Sequence, residues 1–270
     1  MGSATLEAAN EILRRAYGPV IDALLSRASD EGEILTSESA AALAFRTMHP
    51  ISHKDEWYVP AIDGMDALKL LERLTSRTAR VRCPARNELL SRGLKDAGWH
   101  LLGHVTAKAL SARQPTADDG IRPATSDDDD FVRRLLTEAI IGGLAPLEKI
   151  DASAVSGYVV ATYTPVQSMT RHSLVLWHDG ERVGHATWEE SVWDEISGEE
   201  SELIDIFVLP TYRGMGGAHR LSREVEARCI AAGGSRLTGT VVEQPGSQAL
   251  LASLVRAGWV RDHEFWVRFG

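Results

Sequence analysis

Residues 206–221 read IFVLPTYRGMGGAHRL, and this stretch decides the fold. It begins with an apolar, β-branched run that predicts a buried strand ending at Pro210. A loop with three glycines follows, and a helical pattern begins at about Gly217. A glycine loop between a strand and a helix N-terminus directs several backbone N–H groups to one point, where the helix dipole adds positive charge. The stretch therefore predicts a site for a phosphate or pyrophosphate group, which glycines allow to come close.

The spacing of this loop excludes two common phosphate sites. It is neither the G-x-x-x-x-G-K-[ST] of a P-loop nor the G-x-G-x-x-G of a dinucleotide-binding turn. Arg213-x-x-Gly216-x-Ala218 instead resembles the acyl-CoA loop, [RQ]-x-x-G-x-[GA], of the GNAT superfamily of N-acetyltransferases. The alternative is a glycine-rich turn between strand and helix that binds no ligand.

Composition fits a globular enzyme. The chain has 270 residues, 44% hydrophobic and 25% charged, enough for two modest domains or one large one. A net charge of −9 argues against a nucleic-acid partner and suits a cationic or amine substrate. Cys83 and Cys229 lack metal-ligand spacing and are expected to be small buried residues in a reducing compartment. No apolar run or leader pattern predicts a membrane partner, so we expect a cytoplasmic monomer or homodimer.

The first half of the sequence contains a helical pattern over residues 5–27. Gly18 and Pro19 interrupt it, so two helices or a kinked one are expected. The following patterns predict, in chain order, strands at 41–45 and 56–59, a helix at 65–74, a strand at 79–83, a helix at 87–97 and a strand at 99–107. The polar residues 111–119 have no pattern and predict a linker.

The second half begins with a short strand at 120–124 and a helix whose apolar face starts at Phe131. The further patterns predict a helix between 151 and 163, a hairpin of strands 173–177 and 182–188 with Asp179-Gly180 in its turn, a strand at 202–208, a helix at 217–232, a strand at 236–242, a helix at 247–257 and a strand at 259–269. This order, β-α-α-β-β-β-α-β-α-β, is the order of elements in a GNAT domain.

Four consecutive aspartates, residues 127–130, follow Thr125 and Ser126. They could form a metal site. A capped helix start is the better interpretation, because carboxylates oppose the dipole of a helix N-terminus.

The ends of the two halves repeat each other. Residues 87–99 (NELLSRGLKDAGW) align with 247–259 (SQALLASLVRAGW) at a constant offset of 160, as 259 − 99 = 160. Both resemble the GNAT pattern N-x-x-A-x-x-x-Y-x-x-x-G-F, and residues 59–66 (VPAIDGMD) also echo 209–216 (LPTYRGMG). A chance match is the alternative to a tandem GNAT architecture with a decayed first copy.

These observations define the expected fold class and domains. The class is α/β (α+β), with two GNAT-like domains, each a mixed, largely antiparallel sheet flanked by helices, and the N-terminal one shortened. We expect the degenerate domain at 1–112, the linker at 113–119 and the acyl-CoA-binding domain at 120–270.

The resemblance implies where the acyl donor, acetyl-CoA, binds. In the family, pantetheine lies between the strand before the loop and the strand after it, and the pyrophosphate lies on the loop N–H groups. No metal is implied. The residues that this assigns to the cofactor are Phe207, Val208, Arg213, Gly214, Met215, Gly216, Gly217, Ala218 and Ser247, the last at the position of the family's asparagine.

The chemistry requires a base, because an amine must lose a proton as it attacks the thioester. Glu202 opens the strand before the loop, where several family members keep a catalytic glutamate. Asp205 is a carboxylate in an apolar strand, which needs a reason, and strict alternation places it on the face opposite Glu202. The plainer alternative is that both carboxylates are structural. His185 is a weaker candidate, and the acidic residues among 189–200 are expected in a solvated loop rather than an amine-attracting rim.

One departure from the family pattern affects the acid step. Leu254 stands where the family has a tyrosine that reprotonates the leaving thiolate. The leading function is an N-acyltransferase that acts on a small-molecule amine. The alternatives are a non-catalytic acyl-CoA-binding regulatory protein and a protein N-terminal or lysine acetyltransferase.

Overall fold

The computed structural model describes residues 3–74, 77–111, 118–144 and 151–270. The α-helices formed by these residues are α1 (Ser3–Tyr17), α2 (Ile21–Glu31), α3 (Ala67–Leu71), α4 (Glu88–Asp96), α5 (Asp129–Leu144), α6 (Ala152–Tyr163), α7 (Gly217–Ala231) and α8 (Ser247–Arg256). The β-strands are β1 (Gly32–Thr36), β2 (Ala40–Met48), β3 (Asp55–Gly64), β4 (Thr78–Pro84), β5 (His100–Ala109), β6 (Ile121–Pro123), β7 (Arg171–His178), β8 (Glu181–Asp194), β9 (Gly198–Val208), β10 (Arg236–Val242) and β11 (Val260–Arg268).

These elements assemble into two compact units. Unit 1 comprises the described residues up to Val105, together with Asp194–Gly198 and Arg261–Gly270. Unit 2 comprises the described residues of Thr106–Trp193 and Glu199–Val260. The units therefore divide the chain differently from the domain limits expected above, which stay a prediction. Most of the expected linker, residues 113–117, lies outside the described residues.

Unit 1 is built on a mixed sheet with the strand order β1-β2-β3-β4-β11, continued by the first part of β5. The β3–β4 pair is parallel, whereas β1–β2, β2–β3 and β4–β11 are antiparallel. The alanine-rich strand β2 is buried on both faces. Ala40, Ala42 and Ala44 join a core with α3 and α4, and the alternate residues Ala41 and Leu43 join a second core with α1 and α2.

Unit 2 carries the strand order β10-β9-β8-β7-β6, which follows the last part of β5. The strands β6–β7 and β7–β8 pair antiparallel, and β9–β10 pair parallel. One face of this sheet packs on α7 through Leu221, Val225 and Cys229, which recur every four residues and so share one side of the helix. Each unit is thus a mixed, mostly antiparallel sheet with helices on it, which confirms the expected fold class.

Most element predictions are confirmed. A short 3-10 turn, Gly18–Val20, separates α1 from α2, because Gly18 takes a positive φ of 76° and proline follows it. The aspartate run is a helix start. Thr125 accepts from the backbone there, and the Asp128 carboxylate accepts from the Thr125 N–H at 2.8 Å, which completes a capping box.

Two predictions are wrong, one about strand β1 and one about the segment that joins β8 to β9. The sequence pattern missed β1, whose five residues are too few to show an alternation. The acidic stretch expected as a loop is instead the extension of β8 to Asp194 and the start of β9. Glycine at 198 takes a positive φ of 80° and so closes a tight turn between these strands.

The register of the parallel strands supports an internal repeat. Glu56 pairs with Thr78 in unit 1, and Glu202 pairs with Thr238 in unit 2. The threonines differ by the same 160 that relates α4 to α8, since 238 − 78 = 160, and the glutamates differ by 146. The same offset matches Ile62 to Val208, since 62 + 146 = 208.

This register corrects part of the sequence alignment. Residues 59–64 lie in β3, whereas 209–216 form a loop, so Asp63 is not the counterpart of Arg213. Asp66 and Gly216 do correspond, because each directly precedes the helix that follows, α3 or α7.

A tyrosine from α1 closes the end of the parallel pair in unit 1. The β3–β4 register ends at Val59 and Val81, and β3 continues as a buried strand through Ile62. There the Tyr17 hydroxyl accepts from the Ile62 N–H at 3.1 Å and donates to the Ile62 carbonyl at 3.0 Å. Burial raises the pKa of Tyr17 well above its usual range, so the hydroxyl keeps its proton. One side chain therefore satisfies both backbone groups of Ile62.

We expect Tyr17→Phe to lower the free energy of unfolding by about 1–3 kcal/mol, because it leaves a buried N–H and a buried carbonyl without their partner. Chemical denaturation measures the loss. Tyr212→Phe is the matched control, since its hydroxyl bonds Glu181 at the surface and its loss should change stability little. Equal stability of the Tyr17→Phe and Tyr212→Phe variants would contradict this account of Ile62.

Candidate active site

The parallel strands β9 and β10 stop pairing soon after they start. Their register covers Ser201, Glu202 and Leu203 of β9, and β9 then runs five residues further, to Val208. Three apolar side chains of this later part, Ile204, Ile206 and Phe207, are only half-buried. The two strands therefore leave an opening beside β9 that leads toward the glycine loop.

Backbone direction shows which residues of β9 face this opening. The Leu209 N–H donates to Val183 of β8 at 2.9 Å, so Leu209 turns its backbone groups to β8. Gly184 of β8 likewise lies against β9, because a Cβ there would stand 2.7 Å from the Phe207 carbonyl oxygen. Successive residues of a strand alternate their edges, so Val208 and Ile206 turn their N–H and C=O groups toward β10. Of the two predicted pantetheine contacts, Val208 turns its backbone groups to the opening and Phe207 turns them to β8. Ile206, which the sequence analysis did not single out, turns its backbone groups to the same side as Val208.

The glycine loop ends in a helix start that no side chain caps. Gly214 and Gly216 take positive φ angles of 82° and 79°, and Gly216 is the N-cap of α7. The first hydrogen bond of the helix runs from the Arg220 N–H to the Gly216 carbonyl, so the N–H groups of residues 217–219 precede the helical ladder. The first turn contains no acidic residue. This end of α7 can therefore receive an anion.

Gly217 fixes how closely the helix start approaches β9. A Cβ at Gly217 would stand 2.7 Å from Leu176 Cδ2 and 3.5 Å from Val208 Cγ2. The loop residues around it lie at the surface, with Met215 59% exposed and Ala218 also exposed. The predicted phosphate-binding residues 214–218 are thus brought together next to the end of β9.

Arg213 reaches back from the loop to the strand. Its Nε donates to the Val208 carbonyl at 3.0 Å, and its guanidinium lies 5.3 Å from the centroid of the Phe207 ring. The structure therefore places this predicted cationic flank at the mouth of the opening.

Two residues of α8 behave differently from the family pattern. Ser247 is buried and its hydroxyl donates to Glu243 at 2.9 Å, so it is held as the first residue of the helix. Leu254, at the tyrosine position, packs against the core of unit 2. Nothing polar therefore replaces the family's tyrosine at this point of the helix.

Glu202 and Asp205 lie on the same face of β9, contrary to the prediction from strict alternation. Leu203 and Ile206, three residues apart, both pack against the core of unit 2, so the alternation breaks between them. Their neighbours Glu202 and Asp205 therefore both face the other side. The charge of Glu202 contributes to a raised pKa of Tyr163 at the end of α6, although burial of that phenol is the main cause.

Asp205 has a partner that the sequence did not reveal. Its Oδ2 lies 3.0 Å from Nε2 of His185 on β8, and the His185 side chain is fully buried. The Asp205 side chain keeps 19% of its surface exposed. No local pattern in the sequence joins these two residues, because their contact depends on β8 and β9 being neighbours in the sheet.

The acidic residues of the long hairpin are engaged by cations rather than left as a rim. Glu189 lies 3.5 Å from Arg171, Glu200 lies 3.0 Å from Arg236, and Asp194 lies 2.6 Å from Arg82. The expectation of a solvated loop is wrong, and the contacts do not favour the alternative of an amine-attracting rim.

Both cysteines are buried, as expected. Burial raises the pKa of Cys83 to about 12 and that of Cys229 to about 11, so neither is a thiolate at neutral pH. The described residues contain no group of three or more histidine, cysteine or acidic side chains placed to hold a metal ion. Among the helices described, none has the length and apolar character needed to span a membrane.

Comparison with known proteins agrees with this geometry. A sequence model of the Acetyltransferase (GNAT) family matches residues 153–254, which run from α6 to α8. Comparison with curated protein sequences finds no match.

Solved structures share the fold over most of the chain. The chain is similar to a GCN5-related N-acetyltransferase from Sphaerobacter thermophilus, with TM-score 0.57, 16% identity, and coverage of 98% of this chain and 91% of that one. A GCN5-related N-acetyltransferase from Kribbella flavida gives TM-score 0.51 and 12% identity, covering 95% and 94% of the two chains. A conserved protein of unknown function from Staphylococcus epidermidis gives TM-score 0.52 and 15% identity, covering 87% and 92%.

The fold, the loop and the family match together define the class of protein. Residues 153–254 form a GNAT-family acetyltransferase domain, and the protein is an acetyltransferase.

Proposed function

We propose that the protein moves an acetyl or short acyl group from acyl-CoA to the amine of a small molecule, by direct attack within a ternary complex. The observation that carries this proposal is the opening between β9 and β10. It connects two carboxylates, Glu202 and Asp205, with the uncapped start of α7. A donor thioester and an amine could meet there in line, and positioning of this kind lowers the barrier to acyl transfer.

The residues of the loop and strand fit the proposed donor. The N–H groups before the α7 ladder and the glycines without a Cβ suit a pyrophosphate. The Val208 backbone faces the opening, where an extended chain with amide groups can pair with it. Arg213 stands between the two and adds positive charge.

The two carboxylates take different proposed roles because their environments differ. Glu202 is exposed and lies at the start of the opening, where it attracts and orients a cationic amine. Asp205 is mostly enclosed and paired with a buried histidine, which suits a group that takes the proton. The net charge of −9 also favours a cationic acceptor over an acidic one.

A thiol-release assay tests the reaction class. The full chain is incubated with acetyl-CoA and a panel of polyamines, amino sugars, aminoalcohols and lysine- or N-terminus-presenting peptides. Turnover confined to small amines supports the proposal. Preference for peptides would instead indicate a protein acetyltransferase, and binding of acetyl-CoA without any turnover would indicate the regulatory alternative.

The first prediction for the donor site concerns the N-cap of α7. Gly216→Asp should weaken CoA binding at least about tenfold, or about 1.4 kcal/mol, because a carboxylate would stand at the proposed pyrophosphate position. Isothermal titration calorimetry measures the affinity. A Cβ at Gly216 meets nothing within 4 Å, so the variant is not blocked by a clash.

Gly216→Asn is the matched control for this variant. It has nearly the same shape and the same tolerance of positive φ but no charge, so it should weaken binding far less. Gly180→Asp, at a distant turn with φ of 84°, controls for a general effect of a new carboxylate. Equal losses for Gly216→Asp and Gly216→Asn would show that charge at this point does not matter.

The next prediction separates the two carboxylates. Asp205→Asn should lower kcat by about 10²–10⁴-fold with little change in CoA affinity, as expected for loss of a general base. Glu202→Gln should mainly raise KM for the amine, because it removes an attracting charge. Steady-state kinetics with the best amine of the panel decides, and the opposite pattern would make Glu202 the base.

We expect one acyl-CoA to bind per chain, in unit 2. In unit 1 the counterpart of Gly216 is Asp66, whose carboxylate bonds the Ser39 hydroxyl and Lys69, each at 2.7 Å. The counterpart of Val208 is Ile62, whose backbone groups already bond Tyr17. We expect calorimetry to give one site in the wild type and in Asp66→Gly. A second site in either protein would refute the loss of function in the first copy.

A further inference from the structure

A chain of buried hydrogen bonds ends at Asp205. His185 Nδ1 lies 3.2 Å from the Thr187 hydroxyl, which lies 2.9 Å from the Ser173 hydroxyl, and Ser173 donates to the Val166 carbonyl at 3.1 Å. His185, Thr187 and Ser173 are at most 1% exposed. All of them stand on the sheet face opposite α7, which Asp205 also faces.

The Val166 carbonyl, at the end of this series of hydrogen bonds, fixes the direction of each of them. A carbonyl only accepts, so the single hydroxyl proton of Ser173 goes to Val166. Thr187 must then donate to Ser173, and its oxygen accepts from His185. His185 therefore carries its proton on Nδ1 and turns Nε2, the basic nitrogen, to Asp205.

The contact between Nε2 and Asp205 then requires one more proton. A bare nitrogen lone pair and a carboxylate oxygen 3.0 Å apart would repel each other, and both atoms are buried from water. The pair consequently holds one shared proton, either as imidazolium with carboxylate or as neutral imidazole with carboxylic acid. Because Oδ2 is buried, Oδ1 is the oxygen that can meet a substrate.

We propose that His185 is a positioning residue that holds one proton between its ring and Asp205, so that this pair is both the base for the amine and the acid for the leaving thiolate. The inference rests on the proposed function and deepens it. The His185–Asp205 pair would supply the acid that Leu254, an apolar side chain, cannot.

The proton balance of the step is closed. The amine nitrogen uses its lone pair to bond the thioester carbon, and the proton it sheds passes to Asp205, so that the pair then holds two protons. The carbon–sulfur bond breaks with its electron pair left on sulfur. One proton returns from Asp205 to that sulfur, and the pair is back to one. Nitrogen and sulfur are bonded to the same carbon during the transfer, so a single carboxylate can reach both.

Charged groups on the strands that hold this pair and on the neighbouring elements enter its pH dependence. They are Glu202 on β9, Arg171 on β7, Glu189 on β8, Tyr163 on α6 and Arg213 in the glycine loop. Arg171 and Glu189 lie 3.5 Å apart and Tyr163 keeps its proton, so these three leave little net charge. Glu202 favours and Arg213 opposes a positive charge on the pair.

Nitrogen NMR of the imidazole rings tests the His185 tautomer, on which the shared proton depends, without turnover. In the wild type, the His185 Nδ1 should carry the proton that is donated to Thr187. Thr187→Val removes the acceptor for that proton, and Nδ1 should then lose it. Thr187→Ser keeps a hydroxyl at the same place and should retain the wild-type tautomer. An unprotonated Nδ1 in the wild type would overturn the proposal.

The rate profile tests the catalytic role. If the His185–Asp205 pair sets both limbs of the pH–rate profile, kcat should fall on the acid side and again on the alkaline side. His185→Gln leaves Asp205 alone, so the alkaline limb should disappear and kcat should fall at least about tenfold while the affinity for CoA is kept. Thr187→Val should shift both limbs, and Thr187→Ser should restore them.

The two proposals fail in different ways. A wild-type protein that turns over an amine, with His185→Gln showing the same kcat and the same two limbs, overturns the role of His185 and leaves the function intact. Absence of turnover with every acceptor overturns the function and the catalytic role together. A His185→Gln chain that does not fold leaves the test to Thr187→Val, whose unchanged profile would overturn the proposal.

Discussion

Two parallel strands that stop pairing impose the constraint on which this structure depends. Each backbone N–H and C=O group along the parted edge needs a partner, because an unsatisfied polar group away from water costs about 1–3 kcal/mol. In unit 2 the register ends at Leu203 and Gly239, and β9 continues to Val208. A strand edge of this kind is stable only if a side chain, solvent or a ligand covers it, so the same feature that weakens the sheet prepares a binding site.

The two units meet this constraint in different ways. Unit 1 covers the edge permanently, since the Tyr17 hydroxyl bonds both backbone groups of Ile62 and the strand around them is buried. In unit 2 the Val208 carbonyl accepts from Arg213, a surface residue whose side chain can rotate. The buried Tyr17 side chain is already ordered, so its hydrogen bonds cost no further conformational entropy and a ligand cannot easily replace them. A mobile surface side chain such as Arg213 can be displaced by a ligand. This difference, together with Asp66 in place of Gly216, supports duplication followed by loss of the first site.

The sequence predicts elements better than it predicts partners. Gly216, Gly217 and the apolar strand before them are local signals, because φ, helix start and strand burial depend on neighbours in sequence. The face of Asp205 could not be predicted, since one break in the alternation of β9 turns the rest of the strand over. The pairing of His185 with Asp205 depends on which strands are adjacent, and the echo of 59–66 with 209–216 failed because similar letters occupy a strand in one unit and a loop in the other.

The position of Leu254 explains why acid and base chemistry would gather on the sheet. Its side chain packs against the core that contains α7 and has no polar atom, so it can neither hold nor donate a proton. A side chain that takes up and returns a proton must instead lie at the opening, with its tautomer fixed by its hydrogen bonds. The buried chain from Val166 to His185 provides such a hold, because each donor has only one acceptor left to it. A fixed tautomer beside a partly exposed carboxylate gives one site that can take a proton and return it, and so removes the need for a second residue on α8.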